Sequence, residues 1–415
     1  MILRAQVVLP ITGPPIRDGV VRVTGRRIRG VTRWRELPAA QKRRAVDLGD
    51  AILLPGLVNV HCHLDYTHMA GQIPPPKLFT DWLKVMVATK AGWSLEDYAA
   101  SWEEGAQMLL RSGTTTVADV EAVPELLPRL WHTTALRVIS FLEMITIGNR
   151  RSPPVVLRDT LAKARSLEGG RDRVALSPHA PYTALPELLR LSARVAQKHS
   201  MLLMTHVGES ATEYAMFMEG AGEMYDWLAR SGRDMSDCGG RSPVQHLSRS
   251  GMLRPNLIAA HVNYLAKGDA GLLGRGGVSV VHCPRSHFYF QHAAFPLRRL
   301  VRAGVNVCLG TDSLATVYRK RQEKVELDMF AEMRALSARE PGLSARSIVE
   351  LATVNGARAL HLEGSVGELT PGALADMIAI APGTEVPDAY EAVLQHRGPV
   401  LASMISGRWA KAPAR

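Results

Sequence analysis

Between Leu57 and Asp312 the chain repeats one pattern eight times: an apolar, strand-length run followed by a longer amphipathic segment. The runs are LVNVHCHLD (57–65), TTTVADV (114–120), ALRVISFLEMI (135–145), RVALSPHA (173–180), MLLMTHVGE (201–209), NLIAAHVNYL (256–265), GVSVVHCP (277–284) and GVNVCLGTD (304–312). Runs that are apolar throughout, rather than at alternate positions, belong to strands covered on both faces, as in a parallel sheet. The intervening segments carry helical spacing. In LPELLRLSARVAQKH (185–199), Leu185, Leu188, Leu191 and Val195 recur at intervals of three and four. FPLRRLVRAG (295–304) reads the same way. Eight strand–helix units predict an α/β fold, a (β/α)8 or TIM barrel.

The 415 residues exceed what such a barrel needs, about 250, and the surplus lies at both ends. The first 56 residues hold short β-type pieces with turns: ILRAQVVLP, GVVRVTGRRIRGV and AVDLGDAILLP. After about residue 365 that texture returns in GELTPGALADMIAIAP and VLASMISGRWA. Neither end has enough apolar residues for its own core. They are expected to assemble as one small β-sandwich-like domain (1–56 with 365–415) flanking a barrel over 57–364.

Composition narrows the function classes. With 46% hydrophobic and 21% charged residues the chain is globular rather than disordered. No apolar run approaches the length of a membrane span, and the N-terminus lacks the pattern of a secretory signal. Membrane partners are not expected, and a cytoplasmic location is. Cys62, Cys238, Cys283 and Cys308 are scattered without a CxxC, which suits reduced thiols. The net charge of +11 is spread in short clusters such as Arg298-Arg299. Without a basic arm or aromatic–basic interleaving, it reads as a solvated surface rather than a nucleic-acid interface.

Polar residues cluster where the apolar runs end. His61 and His63 close the first run, Ser177 and His179 the fourth, and His206 and Glu209 the fifth. His261, His282 and Asp312 close the sixth, seventh and eighth. The C-terminal strand ends form the active face of a TIM barrel. Side chains at i and i+2 on a strand share a face, so His61 and His63 aim into one place. Neutral imidazoles are the commonest zinc ligands, and catalytic zinc keeps an open position for water. His61, His63 and His206 could supply three nitrogens and Asp312 a carboxylate. His261 could bond the water or join the ligands.

The stretches LPGLVNVHCHLD, SPHAPYT, THVGES, AHVNYL, HCPRS and LGTDS, in this order, resemble the amidohydrolase superfamily. The closer likeness is to its nucleobase and nucleoside aminohydrolase branch, which includes guanine, cytosine, S-adenosylhomocysteine and aminofutalosine deaminases and triazine hydrolases. The likeness spans nearly the whole chain. It implies that His61, His63, His206 and Asp312 bind one divalent metal, zinc or iron, with zinc favoured. The fourth run has no lysine to bridge a second ion. His206-Val207-Gly208-Glu209 resembles the family's HxxE, whose glutamate moves protons. Deamination of an amidine-like carbon needs hydroxide, protonation of the adjacent ring nitrogen, and a proton for the leaving amine. Glu209 is placed for the ring nitrogen, and Asp312 and His261 for the proton of water.

For the substrate, His179 matches a position that contacts the heterocycle in relatives. Trp82 in FTDWL could stack on a flat ring or belong to the core. Arg285 and His287, in the loop after the seventh run, would favour an anionic group if that loop faces the pocket. The expected function is hydrolytic deamination of an amino-substituted purine, aminodeoxyfutalosine or a related adenine nucleoside, by an enzyme that could be a homodimer. Two alternatives stay open: the same fold acting on another C–N or a C–Cl bond, and a barrel that only scaffolds partners.

Overall fold

The computed structural model describes residues 1–147, 151–167, 174–319, 324–382 and 388–414. In chain order its strands begin with β1 (Ile2–Val8), β2 (Ile16–Thr24), β3 (Arg27–Arg33), β4 (Ala45–Asp47) and β5 (Ile52–Pro55). Then come β6 (Leu57–Cys62), β7 (Thr114–Glu121), β8 (Arg137–Met144), β9 (Val174–Pro178), β10 (Leu203–Val207), β11 (Leu257–His261), β12 (Ser279–His282) and β13 (Asn306–Leu309). The last are β14 (Met377–Ile380), β15 (Ala402–Ile405) and β16 (Arg408–Lys411).

Each apolar run of the sequence holds one strand of β6 to β13, although Arg173 at the start of the fourth run lies outside the described residues. These eight strands pair in sequence order, every pair parallel. Most are buried along their whole length, as runs without polar alternation require. The chain therefore forms a (β/α)8 barrel. The helix Pro186–His199 buries Leu188, Leu189, Ser192, Ala193 and Ala196. Leu191 and Val195 sit half-buried at the margin of that face. The buried stripe is thus turned from the expected one, because the small Ser192, Ala193 and Ala196 allow the closer approach.

The remaining strands form a second sheet, ordered β16-β15-β14-β5-β1-β2-β3 with β4 also on β1. Both termini contribute. β14 pairs antiparallel with β5, joining Met377–Ile380 to Ile52–Pro55. Leu3, Ala5, Val21, Leu53, Met377 and Met404 share its core. The four cysteines are free, and no helix among the described residues is long and apolar enough to cross a membrane.

The barrel closes where β6 meets β13, and no continuous ladder joins them. Cys62 and Asp312 form a single parallel bridge, in which the Asp312 N–H donates to His61 O at 3.0 Å. Below it the Asn59 amide spans the seam. Its Nδ2 donates to Thr311 Oγ1 (2.8 Å), and its Oδ1 accepts from the Thr311 N–H (3.1 Å). Gly310 lets the strands come this close, since a Cβ there would stand 2.8 Å from His61 O. Val58 and Val60 turn the other way, toward Gly356 of the helix Val354–Ala359. The period of two therefore sends Asn59, His61 and His63 to the opposite face.

Candidate active site

Four imidazoles and two carboxylates meet above this seam, all of them buried. His206, on β10, donates from Nδ1 to His179 O at 2.8 Å. That bond fixes the tautomer and leaves the Nε2 lone pair free. Nε2 of His206 faces Nε2 of His63 at 3.3 Å. Asp312 Oδ1 stands 3.7 Å from His61 Nε2 and 3.8 Å from His63 Nε2. His61 Nε2 and His261 Nε2 are buried and have no hydrogen-bond partner. The ligand-type atoms of His61, His63 and His206 lie within 4.8 Å of one another, as do those of His61, His261 and Asp312. Burial is the largest influence holding all four imidazoles below the usual histidine range. Neutral rings with converging lone pairs beside a carboxylate are a donor set that fits a divalent cation of the zinc class.

Backbone conformation aims these groups. Asp312 and His261 both take left-handed φ, 54° and 73°, a strained choice outside glycine that clusters at functional sites. The Ser313 N–H donates to the Asp312 carboxylate (2.8 Å), and the Thr316 hydroxyl, 2.9 Å from Ser313 O, stands 3.3 Å from it. After His206 the chain turns through Gly208 at φ 58°. A Cβ there would stand 2.9 Å from Tyr264 O, so the turn requires glycine. It brings Glu209 Oε1 to 3.7 Å from His261 Nε2. Burial, reinforced by the Asp312 carboxylate, pushes Glu209 well above the usual carboxylate range. Such a group holds a proton ready to give.

His63, His206, Glu209, His261 and Asp312 line a cavity of about 290 Å³. His179 and Trp82 both line it. His179 Nδ1 meets Thr183 Oγ1 at 2.6 Å, and burial lowers its pKa to about 3. Trp82 donates from Nε1 to Ala315 O (3.3 Å) and packs edge-on against Phe290, so it belongs to both the wall and an aromatic cluster. Arg285 and His287 do not line this cavity, which corrects the expectation for them. Arg285 is drawn to Glu332, with Nε on Oε1 at 2.5 Å and the backbone N–H on Oε2 at 2.9 Å. A fully buried carboxylate needs such a cation more than a pocket does. His287 turns to Asn263 Oδ1 (3.0 Å) and lines a separate small cavity with His282 and His292.

Sequence reasoning missed several groups. Glu213 accepts the N–H of Gly208 (3.0 Å) and of Glu209 (2.9 Å) and so supports the Glu209 turn. Its signal was a second glutamate four residues after the first, past a helix-capping Ser210. Tyr66 stacks on His63 with ring centroids 5.2 Å apart. Lys90 lies over the Tyr66 ring at 4.6 Å and bonds its hydroxyl. Glu143 lines the cavity from the end of β8, a lone carboxylate within the apolar stretch VISFLEMI.

The profile of the Amidohydrolase family matches residues 52–410. The 5'-deoxyadenosine deaminase of Methanothermobacter thermautotrophicus is 30% identical over 390 residues, 89% of this chain and 84% of that protein. The 5-methylthioadenosine/S-adenosylhomocysteine deaminase of Syntrophobacter fumaroxidans is 32% identical over 349 residues, covering 81% and 74%. Among solved structures, Helicobacter pylori aminofutalosine deaminase in complex with methylthio-coformycin superposes with a TM-score of 0.85. It covers 98% of this chain and 99% of its own at 21% identity.

Proposed function

Because this chain belongs to the amidohydrolase family, a family of metal-dependent hydrolases, we propose that it deaminates the adenine ring of a 5'-modified adenine nucleoside, releasing ammonia. One observation carries the reading. Three imidazoles, Asp312, His261 and Glu209 converge, five of these six groups on the wall of one cavity, in a chain whose curated relatives are named adenine-nucleoside deaminases.

His61, His63, His206 and Asp312 would hold one divalent ion, zinc by the chemistry of the donors. An ion held there acidifies water toward neutral pH and so supplies the nucleophile. Glu209, kept protonated by burial, donates to the ring nitrogen next to the amino-bearing carbon as the water oxygen adds to that carbon. His261, with its unpartnered Nε2, and Asp312 orient the attacking water and take its proton. The amine takes up that proton as the C–N bond breaks. Ammonia leaves, the hydroxyl proton of the added water returns to Glu209, and the ring keeps a carbonyl and the N–H that Glu209 first gave.

The wall hints at the 5' substituent. Leu83, Met86, Ile145 and Ile147 line the cavity, and its one lysine or arginine among the described residues, Lys90, is held by the Tyr66 hydroxyl. That supports a small, uncharged group such as 5'-deoxy or 5'-methylthio over an aromatic carboxylate. The test is ammonia release by zinc-loaded protein from 5'-deoxyadenosine, 5'-methylthioadenosine, S-adenosylhomocysteine, aminofutalosine, guanine, cytosine and a chlorotriazine. A kcat/KM above about 10⁴ M⁻¹s⁻¹ on an adenine nucleoside is expected. Ammonia from guanine or cytosine alone, or chloride from the triazine alone, would overturn the proposal.

A further inference from the structure

We infer that Glu143 determines specificity by accepting hydrogen bonds from the vicinal hydroxyls of the substrate's sugar. The inference rests on the nucleoside reading above and names the group that recognises the sugar.

Glu143 is the only charged residue in the stretch Val138–Met144 of β8. Its side chain is 8% exposed and lines the cavity. Among the described residues no side chain or backbone group donates to it. His179 Nε2 stands 3.9 Å from its Oε1, beyond hydrogen-bond reach. The other ring nitrogen of His179 is engaged, with Nδ1 2.6 Å from Thr183 Oγ1. Lys90, the one cation lining the cavity among the described residues, is engaged by the Tyr66 hydroxyl.

A carboxylate that faces a cavity with no protein donor is open to donors that a ligand brings. An adenine nucleoside has few to bring. Its ring nitrogens are acceptors. Its exocyclic amine is the leaving group and must lie at the His61, His63 and Asp312 end. The sugar hydroxyls remain. A vicinal pair can bond both carboxylate oxygens of Glu143. A site built to bond substrate hydroxyls rejects an analogue lacking them far more strongly than an apolar pocket does, because the buried polar group is left unpaired.

The experiment compares kcat/KM for adenosine and 2',3'-dideoxyadenosine in the zinc-loaded wild type, Glu143→Gln and Glu143→Leu. The wild type should prefer the diol by about 100-fold or more. In Glu143→Leu that preference should fall at least tenfold, with the loss concentrated in KM for adenosine. Glu143→Gln, which keeps one acceptor, should fall between, and it carries the comparison if the leucine variant does not fold. An unchanged preference in both variants would overturn the inference, as would an equal loss on both substrates, the mark of a structural role. If the wild type releases ammonia only from non-nucleoside substrates, the nucleoside reading fails and takes this inference with it. If it deaminates both nucleosides equally well, the nucleoside reading stands and the role of Glu143 alone is refuted.

Discussion

Asn59 lies beneath the metal-type cluster and meets it only at the His61 backbone, and its removal measures what the barrel seam does for the site. Its Oδ1 accepts from the Thr311 N–H at 3.1 Å and more weakly from the His61 N–H at 3.4 Å, while Nδ2 donates to Thr311 Oγ1 at 2.8 Å. No ladder joins β6 to β13, so these bonds and the Cys62–Asp312 bridge hold two proposed metal ligands, His61 and Asp312, at their spacing. In Asn59→Ala the Thr311 N–H is orphaned in a fully buried place and the His61 N–H loses its contact. The Thr311 hydroxyl keeps Asp312 O as an acceptor. One orphaned donor plus one weakened one gives about 2–4 kcal/mol of lost stability. A supporting group behind metal ligands is typically worth about 10- to 100-fold in metal affinity. Two assays read this out: urea unfolding of metal-free protein, and zinc affinity by competition with a chromophoric chelator. Thr311→Val removes the hydroxyl's contacts to Asn59 Nδ2 and Asp312 O and should cost about 1–2 kcal/mol, and the double variant should be less than additive because the two share a bond. A stability change under about 0.5 kcal/mol together with unaltered zinc affinity would refute the seam argument.

Three further outcomes follow from the same geometry. Glu209→Gln should keep its zinc, by elemental analysis, while kcat falls by about 10²- to 10⁴-fold; preserved turnover would remove Glu209 from proton transfer. Arg285→Ala strands the buried Glu332 carboxylate and should cost about 3–5 kcal/mol in unfolding free energy, with KM for a nucleoside nearly unmoved. A selective rise in KM for carboxylate-bearing substrates would return Arg285 to the pocket. Burial raises Glu213 to about 7 in the folded chain, so the folded state holds that proton more tightly than the unfolded one. Its stabilising contribution is therefore full below the ordinary carboxylate pKa and is lost as pH rises toward 7. Relative to Glu213→Gln, the wild type should lose roughly 3 kcal/mol over that window; parallel pH–stability curves for the two would contradict it.

The barrel, its strand order and the convergence of His61, His63, His206, His261 and Asp312 were legible in the amino-acid sequence, because each depends on local periodicity. Strands covered on both faces must be apolar throughout, and a parallel barrel brings the C-terminal ends of all eight to one side. The parity that separates Val58 and Val60 from His61 and His63 is likewise a property of any strand. The turn into Glu209 was half legible: HVGE showed the glutamate, while Gly208 pressed against Tyr264 O became visible only in three dimensions. Partner choice between distant residues was not legible. Arg285 could serve a substrate anion or a buried carboxylate with equal chemical sense, and only the packing of the helix Pro284–Tyr289 against the helix Met329–Arg339 brought it to Glu332. Asn59 looked like one more residue of a buried strand until the seam placed Thr311 opposite it. Glu143 looked like a flaw in an apolar run until the cavity formed around it. Periodicity dictates which face a side chain takes. What that side chain meets there depends on how elements far apart in the chain come together, and that is set by the closure of the whole barrel.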